Sequence, residues 1–238
     1  MKSSIDWWAI LFASTFPLAM AYLYFVVIAG AVDEANPWMT VAYGVGKLIQ
    51  FPFPLVYIAL FHRDWLRGCR PRWKGIGEGV GFGLLVAAAM FALYFGVLRD
   101  GPLLGDAGRN VFAVLRKNHL DTPTRFVVTG LLLSTAHSLL EEYYWRWFVF
   151  GLMKRHLPPW AAVILSGLAF MAHHVVIVSV YFPWNLAIPF SLGVAVGGGV
   201  WAWLYHRHGS LIGPWLSPLL VDAAIFVVGY DLVRGAFS

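Results

Sequence analysis

The chain has few charged residues and almost no cysteine. Of its 238 residues, 12% are Asp, Glu, Lys or Arg and 60% are hydrophobic, whereas a soluble domain has about 25% charged residues. This balance excludes an ordinary soluble protein. The single cysteine, Cys69, excludes an intrachain disulfide and any cysteine-rich zinc site. The net charge of +5 is divided among short loops, so we expect no nucleic-acid partner.

Continuous apolar runs near twenty residues follow one another along the chain. A helix of that length crosses a bilayer, whereas an outer-membrane barrel needs alternating segments of about ten residues. We therefore predict an all-α polytopic transmembrane helical bundle with about seven spans in the lipid bilayer. An extra re-entrant element between residues 99 and 125 would make eight. The predicted spans are 7–30, 38–61, 76–98, 126–150, 160–180, 186–205 and 211–233.

The first run also resembles a signal peptide, because Ala29-Gly30-Ala31 looks like a cleavage site. The run is longer than the usual apolar region of about 7–15 residues, which favours a membrane anchor. With seven spans, the N-terminal side carries nine Lys and Arg residues and the opposite side six, diluted by six acids. The positive-inside rule therefore predicts a cytoplasmic N-terminus and an external C-terminus.

The polar stretch 99–125 carries an apolar stripe at Val111, Phe112, Val114 and Leu115. This pattern fits an amphipathic helix lying on the membrane. The same pattern fits equally well a segment that packs over a functional site and covers it. Pro52 and Pro54 in the second span predict a kink.

The fourth span, 126–150, contains four ionisable groups, His137, Glu141, Glu142 and Arg146. A charge inside a span costs about 2.5–3.5 kcal/mol on the insertion scale, so these groups must face protein or water. Residues four apart share a helix face, which predicts a Glu142–Arg146 ion pair and a separate His137–Glu141 pair. The cluster is either a structural lock between helices or the centre of a chemical site.

Other spans add polar groups that could converge with this cluster. The fifth span holds His173 and His174, the last holds Asp222, and the second holds Lys47. Lys47 could snorkel to the interface, pair with an acid such as Asp222, or bind substrate. The set suits a glutamate that activates water with histidine assistance. It also suits zinc held by His and Glu, although the sequence has no HExxH motif.

Two of these stretches resemble known motifs. Glu141-Glu142-Tyr143-Tyr144-Trp145-Arg146 resembles the EExxxR motif of the CAAX-protease and bacteriocin-processing family, also called the Abi family. Phe170 and His174 match its second motif, FxxxH, on the next span. The resemblance covers roughly residues 125–230. On this basis the chain is one membrane domain with two parts. Residues 1–123 form the N-terminal spans and the amphipathic loop, and residues 124–234 form an Abi-like core.

The third family motif departs from its usual form. Gly209-Ser210-Leu211 and Pro214 match the residues that precede this motif in the family. The usual HxxxN, however, aligns with Pro218 to Asp222, so proline stands in the place of the histidine and aspartate in the place of the asparagine. In the family this histidine and asparagine help to bind the oxyanion. Proline cannot donate a hydrogen bond, and Asp222 donates only when protonated.

The resemblance implies an intramembrane endopeptidase of the glutamic type. Glu141 would be the general base, with His174 assisting it. Glu142 would pair with Arg146, while Asp222, with His173 or His137, would steady the tetrahedral intermediate. The implied partner is a membrane-tethered protein or peptide cleaved in its C-terminal segment, either a CAAX-like tail or a sorting segment. No cofactor is expected; the alternative is a zinc ion on Glu141 and His174. The expected location is a bacterial inner membrane.

Two other classes remain open from the residues alone. A non-enzymatic immunity or scaffold protein would use the charged cluster only to hold helices together. A small proton-coupled transporter would use an intramembrane carboxylate, but the sequence shows no inverted repeat and no matched pair of broken helices.

Overall fold

A computed structural model describes residues 2–28, 37–67, 73–104 and 107–237, so Cys69 and Ala29-Gly30-Ala31 lie outside the described residues. Regular secondary structure in these ranges is helical throughout, which confirms the all-α prediction. The α-helices are α1 Lys2–Ala21, α2 Pro37–Gln50, α3 Pro52–Phe61, α4 Arg63–Arg67, α5 Ile76–Leu93, α6 Ala107–Lys117, α7 Pro123–Leu132, α8 Ser138–Glu142, α9 Gly151–Met153, α10 Pro159–Tyr181, α11 Trp184–His208 and α12 Ile212–Val233.

Six helical segments in the described ranges are long and apolar enough to cross a membrane. They coincide with six of the seven predicted spans, and the protein is an integral membrane protein. The exact number of spans stays a prediction. The six segments are Ser4–Ile28, Val41–Phe61, Ile76–Leu98, Pro159–Tyr181, Trp184–His208 and Ile212–Ala236.

The remaining predicted span lies in a helical run from Pro123 to Met153 that alternates between α and π geometry. Thr122 caps its start by accepting a hydrogen bond from the Arg125 backbone N–H at 3.4 Å. The π-helical stretches are Leu133–His137 and Tyr143–Phe150. Each π turn holds an extra residue and rotates the side chains that follow it, and such stretches often occur at functional sites.

This run is the core of the bundle. Tyr144, Trp145, Phe148, Phe150 and Leu152 are each at most 1% exposed. The Tyr144 hydroxyl donates to the Ala13 carbonyl of α1 at 2.8 Å, so the first helix is bound directly to the run. Large apolar side chains on the outer helices are exposed instead, as expected for surfaces that face lipid.

Small residues allow two helix pairs to approach closely. A Cβ atom on Gly79 of α5 would lie 2.0 Å from the Gly213 carbonyl oxygen of α12. A Cβ on Gly198 of α11 would lie 3.3 Å from the Cα of Gly167 on α10. Gly198 therefore permits close contact between α11 and α10.

Two local features correspond to patterns noted in the sequence. The second predicted span breaks where its prolines begin, because α2 ends at Gln50 and α3 starts at Pro52. The polar stretch after α5 contains the helix α6, whose apolar stripe is half-buried and which packs against α10 and α12. This helix therefore covers one end of the bundle.

Candidate active site

The Glu142–Arg146 pair lies in the densest part of the core. Both residues are 1% exposed, and Glu142 Oε1 lies 3.1 Å from Arg146 Nη1, as their spacing predicts. The Arg146 guanidinium carbon also lies 4.5 Å from the Phe170 ring centroid and 4.9 Å from that of Trp201. This carboxylate is therefore neutralised, and its pair holds the central run against α10 and α11.

Glu141 points to a different face and meets imidazoles. Its Oε1 lies 3.6 Å from His137 Nε2 and 3.9 Å from His173 Nε2. The side chain is 17% exposed, in contrast to Glu142. Both distances are longer than a direct hydrogen bond, and a contact of this length between polar groups suits a bridging water.

His173 and His174 of α10 lie side by side, with ring centroids 4.1 Å apart. His174 Nδ1 donates to the Phe170 carbonyl oxygen at 2.9 Å, which leaves Nε2 as the acceptor. One polar atom from each of Glu141, His173 and His174 can be chosen so that all three lie within 4.8 Å of one another. The structure therefore brings together the predicted carboxylate and both predicted histidines.

An aromatic residue that the sequence analysis did not single out orients one of these histidines. The Trp145 indole stacks on the His173 imidazole, with centroids 5.4 Å apart and planes at 2°. Trp145 follows Glu141 by four residues, so helical spacing could have placed both on the same side. The stacking restricts the rotation of His173 beside the carboxylate.

Asp222 approaches the cluster from α12. It interacts electrostatically with Glu141 and Glu142, and its side chain is half-buried. Among the described residues, Asp222 forms no ion pair with Lys47 or Arg146. A salt bridge with either residue therefore does not explain the presence of an acid in this apolar helix. Pro218 lies buried inside α12, one turn before Asp222.

Lys47 also faces the site. Lys47 and His173 line one cavity of about 70 Å³ between α1, α2 and α10. The ammonium group binds the Gln50 side-chain oxygen at 3.2 Å and interacts electrostatically with Glu141. In the described part of the chain it has no ion-pair partner. The predicted pairing of Lys47 with Asp222 is therefore not seen, and a role in substrate binding stays a prediction.

The donor set of Glu141, His173 and His174 also fits a zinc ion. Two histidines and one glutamate form a known catalytic zinc set. The bond from His174 Nδ1 to a carbonyl is the kind of outer contact that orients a ligating imidazole. Tetrahedral ligands about 2.1 Å from zinc lie about 3.4 Å apart, so small side-chain rotations would bring the three atoms into range.

The comparison with protein families agrees with this geometry. Residues 123–224 match the model of the type II CAAX prenyl endopeptidase Rce1-like family. Neither the curated proteins nor the solved structures give a significant match. The matched region contains every residue of the cluster except Lys47, and the family implies an intramembrane endopeptidase activity. The match over residues 123–224 therefore supports the CAAX-protease and bacteriocin-processing family that the sequence motifs indicate.

Proposed function

We propose that the protein is a glutamic-type intramembrane endopeptidase in which Glu141 activates water. This proposal rests on the different surroundings of the two adjacent glutamates. Glu142 is neutralised by Arg146 in the core, whereas Glu141 lies beside two imidazoles and keeps partial exposure. A carboxylate without a cationic partner at hydrogen-bond distance is free to take a proton.

A water molecule held between Glu141 and His173 is the nucleophile. Glu141 accepts a proton from it while the water oxygen attacks the carbonyl carbon of the peptide bond. The carbonyl π electrons move to oxygen, which gives a tetrahedral oxyanion. When the intermediate collapses, the C–N bond breaks and the proton held by Glu141 passes to the leaving nitrogen. His174, with its free Nε2, assists by binding the water or the leaving group.

The oxyanion is stabilised by groups that replace the third-motif histidine. We assign this role to protonated Asp222, with His173 or His137 as a further donor. Preorganised donors near a developing oxyanion contribute about 2.7–4 kcal/mol each in other enzymes. The proximity of Asp222 to both glutamates supports this assignment, since the reacting carbonyl must also lie near Glu141.

The substrate is the C-terminal segment of a membrane-tethered protein, either a CAAX-like tail or a sorting segment. The family model supports this class, because its description is that of a CAAX prenyl endopeptidase. The positive charge distribution supports a cytoplasmic N-terminus and an external C-terminus, and a bacterial inner membrane is the proposed location.

A zinc-dependent version of the same hydrolysis is the second candidate, because three ligand atoms converge at Glu141, His173 and His174. In that version Glu141 and the two histidines would hold the ion, which would supply an activated water. A non-enzymatic scaffold is less well supported, because a structural lock needs only the Glu142–Arg146 pair.

Cleavage of a farnesylated, fluorophore-labelled tail peptide by the purified protein tests the proposal. The wild type should cleave the peptide, and Glu141→Gln should lower the rate by more than about 1,000-fold with an unchanged melting temperature. Glu78→Gln, which changes a half-exposed glutamate on α5, is the matched control and should keep full activity. Full activity in Glu141→Gln would remove Glu141 from the reaction.

A further inference from the structure

A second cavity lies where several helices end together, and none of the motif residues of the active site lines it. It has a volume of about 710 Å³ and opens to solvent. Its walls come from the start of α1, the end of α3, the adjoining α4, α9 with the residues after it, and the end of α11. This volume is within the range of about 300–1,000 Å³ that ligand pockets occupy.

A buried carboxylate organises this cavity. Asp6 of α1 is 3% exposed and accepts hydrogen bonds from the Tyr57 hydroxyl at 2.6 Å, His62 Nε2 at 2.7 Å and His156 Nε2 at 2.8 Å. Because three donors occupy its two oxygens, Asp6 is not available to the cations of the rim. It joins three elements that are distant in the sequence into one frame.

The frame also positions an arginine. Since His62 donates through Nε2 to Asp6, its Nδ1 is an acceptor, and Arg155 Nη1 donates to it at 3.2 Å. The Arg155 guanidinium carbon lies 5.5 Å from the Trp65 ring centroid. Arg155 therefore has an ordered position and keeps other N–H groups free for a ligand.

The rim carries an excess of positive charge. Arg63, Lys154 and Arg155 line the cavity, and in the described part of the chain none of them forms an ion pair with a carboxylate. Asp64 is the other acid of the lining and is exposed. Burial lowers the pKa of Lys154, a cost that a bound anion would offset.

The surroundings place the cavity at the level of lipid headgroups. The Trp7 ring lies 5.5 Å from the His156 ring, and both Trp7 and the nearby Trp8 are exposed, at 42% and 70%. Trp160, near the start of α10, is 68% exposed. Exposed tryptophans mark the membrane–water interface, and guanidinium groups bind phosphate through paired N–H donors.

We propose that this cavity binds the phosphate headgroup of an anionic membrane phospholipid, with Arg155, Lys154 and Arg63 as its ligands. Basic pockets between membrane helices are typical sites for such headgroups. The site is separate from the proposed hydrolysis and does not depend on it. Its ligand stabilises the end of the bundle where α1, α3 and the central run meet.

The test uses the full-length protein in neutral detergent, with phosphatidylglycerol, phosphatidylcholine or inorganic phosphate added. Native mass spectrometry measures lipid adducts, and a thermal melt measures stability. Phosphatidylglycerol should give a bound lipid and raise the melting temperature by about 5 °C at saturating concentration. Equal effects of phosphatidylcholine would overturn the proposal, and equally tight binding of inorganic phosphate would overturn its assignment to lipid.

Variants locate the binding. Arg155→Gln with Lys154→Gln should weaken phosphatidylglycerol binding by about 25-fold, because each basic group contributes about fivefold. Arg116→Gln with Arg125→Gln removes two exposed charges elsewhere and should leave the binding unchanged. The Arg63 side chain hydrogen-bonds the Ala59 carbonyl oxygen and not Asp6. Arg63→Gln should therefore weaken lipid binding by about fivefold without disturbing the Asp6 frame, and it serves as the test if the double variant is poorly folded. Unchanged binding in both cavity variants would refute the site.

Glu141→Gln separates this proposal from the proposed function. It should bind phosphatidylglycerol as the wild type does, whatever its peptidase activity. Loss of lipid binding in Glu141→Gln would contradict the independence of the two sites.

Discussion

The Trp145 indole lies parallel to the His173 imidazole at 5.4 Å and fixes one wall of the candidate active site. Trp145 belongs to the EExxxR stretch, and His173 belongs to the helix that carries FxxxH. The stack therefore joins the two family motifs physically. Because Trp145 does not contact the reacting atoms in the proposed mechanism, it is a positioning residue.

Replacing Trp145 should lower kcat more than it changes KM. Trp145→Phe keeps a ring beside His173 and should retain most activity, whereas Trp145→Leu should lower kcat by about 10–100-fold, as expected for a misplaced catalytic group. Steady-state kinetics on the tail peptide measure both constants. A rise in KM alone would show that Trp145 contacts substrate instead.

Glu142→Gln should destabilise the protein. It leaves the Arg146 guanidinium buried without its anionic partner, and breaking such a pair costs about 3–5 kcal/mol. Chemical unfolding in detergent, compared with Glu141→Gln and the wild type, measures the loss. If Glu142→Gln were stable and inactive while Glu141→Gln stayed active, the roles of the two glutamates would have to be exchanged.

Lys47→Met should reduce peptidase activity although Lys47 lies outside the matched family region. The substitution keeps the length of the side chain and removes the cation that interacts with Glu141. We expect about a tenfold or greater loss of kcat/KM, partly restored in Lys47→Arg. Lys2→Met is a charge-matched control near the N-terminus. Equal activity of Lys47→Met and the wild type would limit Lys47 to helix packing.

Metal analysis separates the two versions of the mechanism. For the glutamic mechanism we expect activity to persist after exhaustive treatment with 1,10-phenanthroline and no stoichiometric zinc by plasma mass spectrometry. For the zinc version, the purified protein should contain one zinc per chain that is lost in His174→Gln. Zinc-dependent recovery of activity after chelation would decide for the metal.

Two glycines of α5 provide a matched test of the fold. Gly79→Ala should destabilise the protein by at least about 1–3 kcal/mol, because the new Cβ meets the Gly213 carbonyl oxygen and forces the helices apart. Gly81→Ala has no neighbouring atom within 4 Å and should be neutral or slightly stabilising. Melting temperatures of the two variants give the comparison. Equal values would show that α5 and α12 do not pack as described.

The helical membrane class and the central run were predictable because both depend on local properties. A continuous apolar run of bilayer length satisfies its backbone hydrogen bonds in the membrane as a helix. Residues four apart in a helix share a face, which is why the Glu142–Arg146 and His137–Glu141 pairs were predicted correctly. The motifs on the fourth and fifth predicted spans indicated the family for the same reason, since they lie in short stretches with regular spacing.

Tertiary structure alone decided which groups from distant helices meet. Lys47 faces Glu141, and Asp6 binds His156, 150 residues away, because α1 packs against the central run and α2 packs against α1. Apolar spans provide little sequence signal for their neighbours, since lipid and protein surfaces are similarly hydrophobic. Hydrophobic length therefore determined that the chain is a helical membrane protein, whereas close packing determined its site.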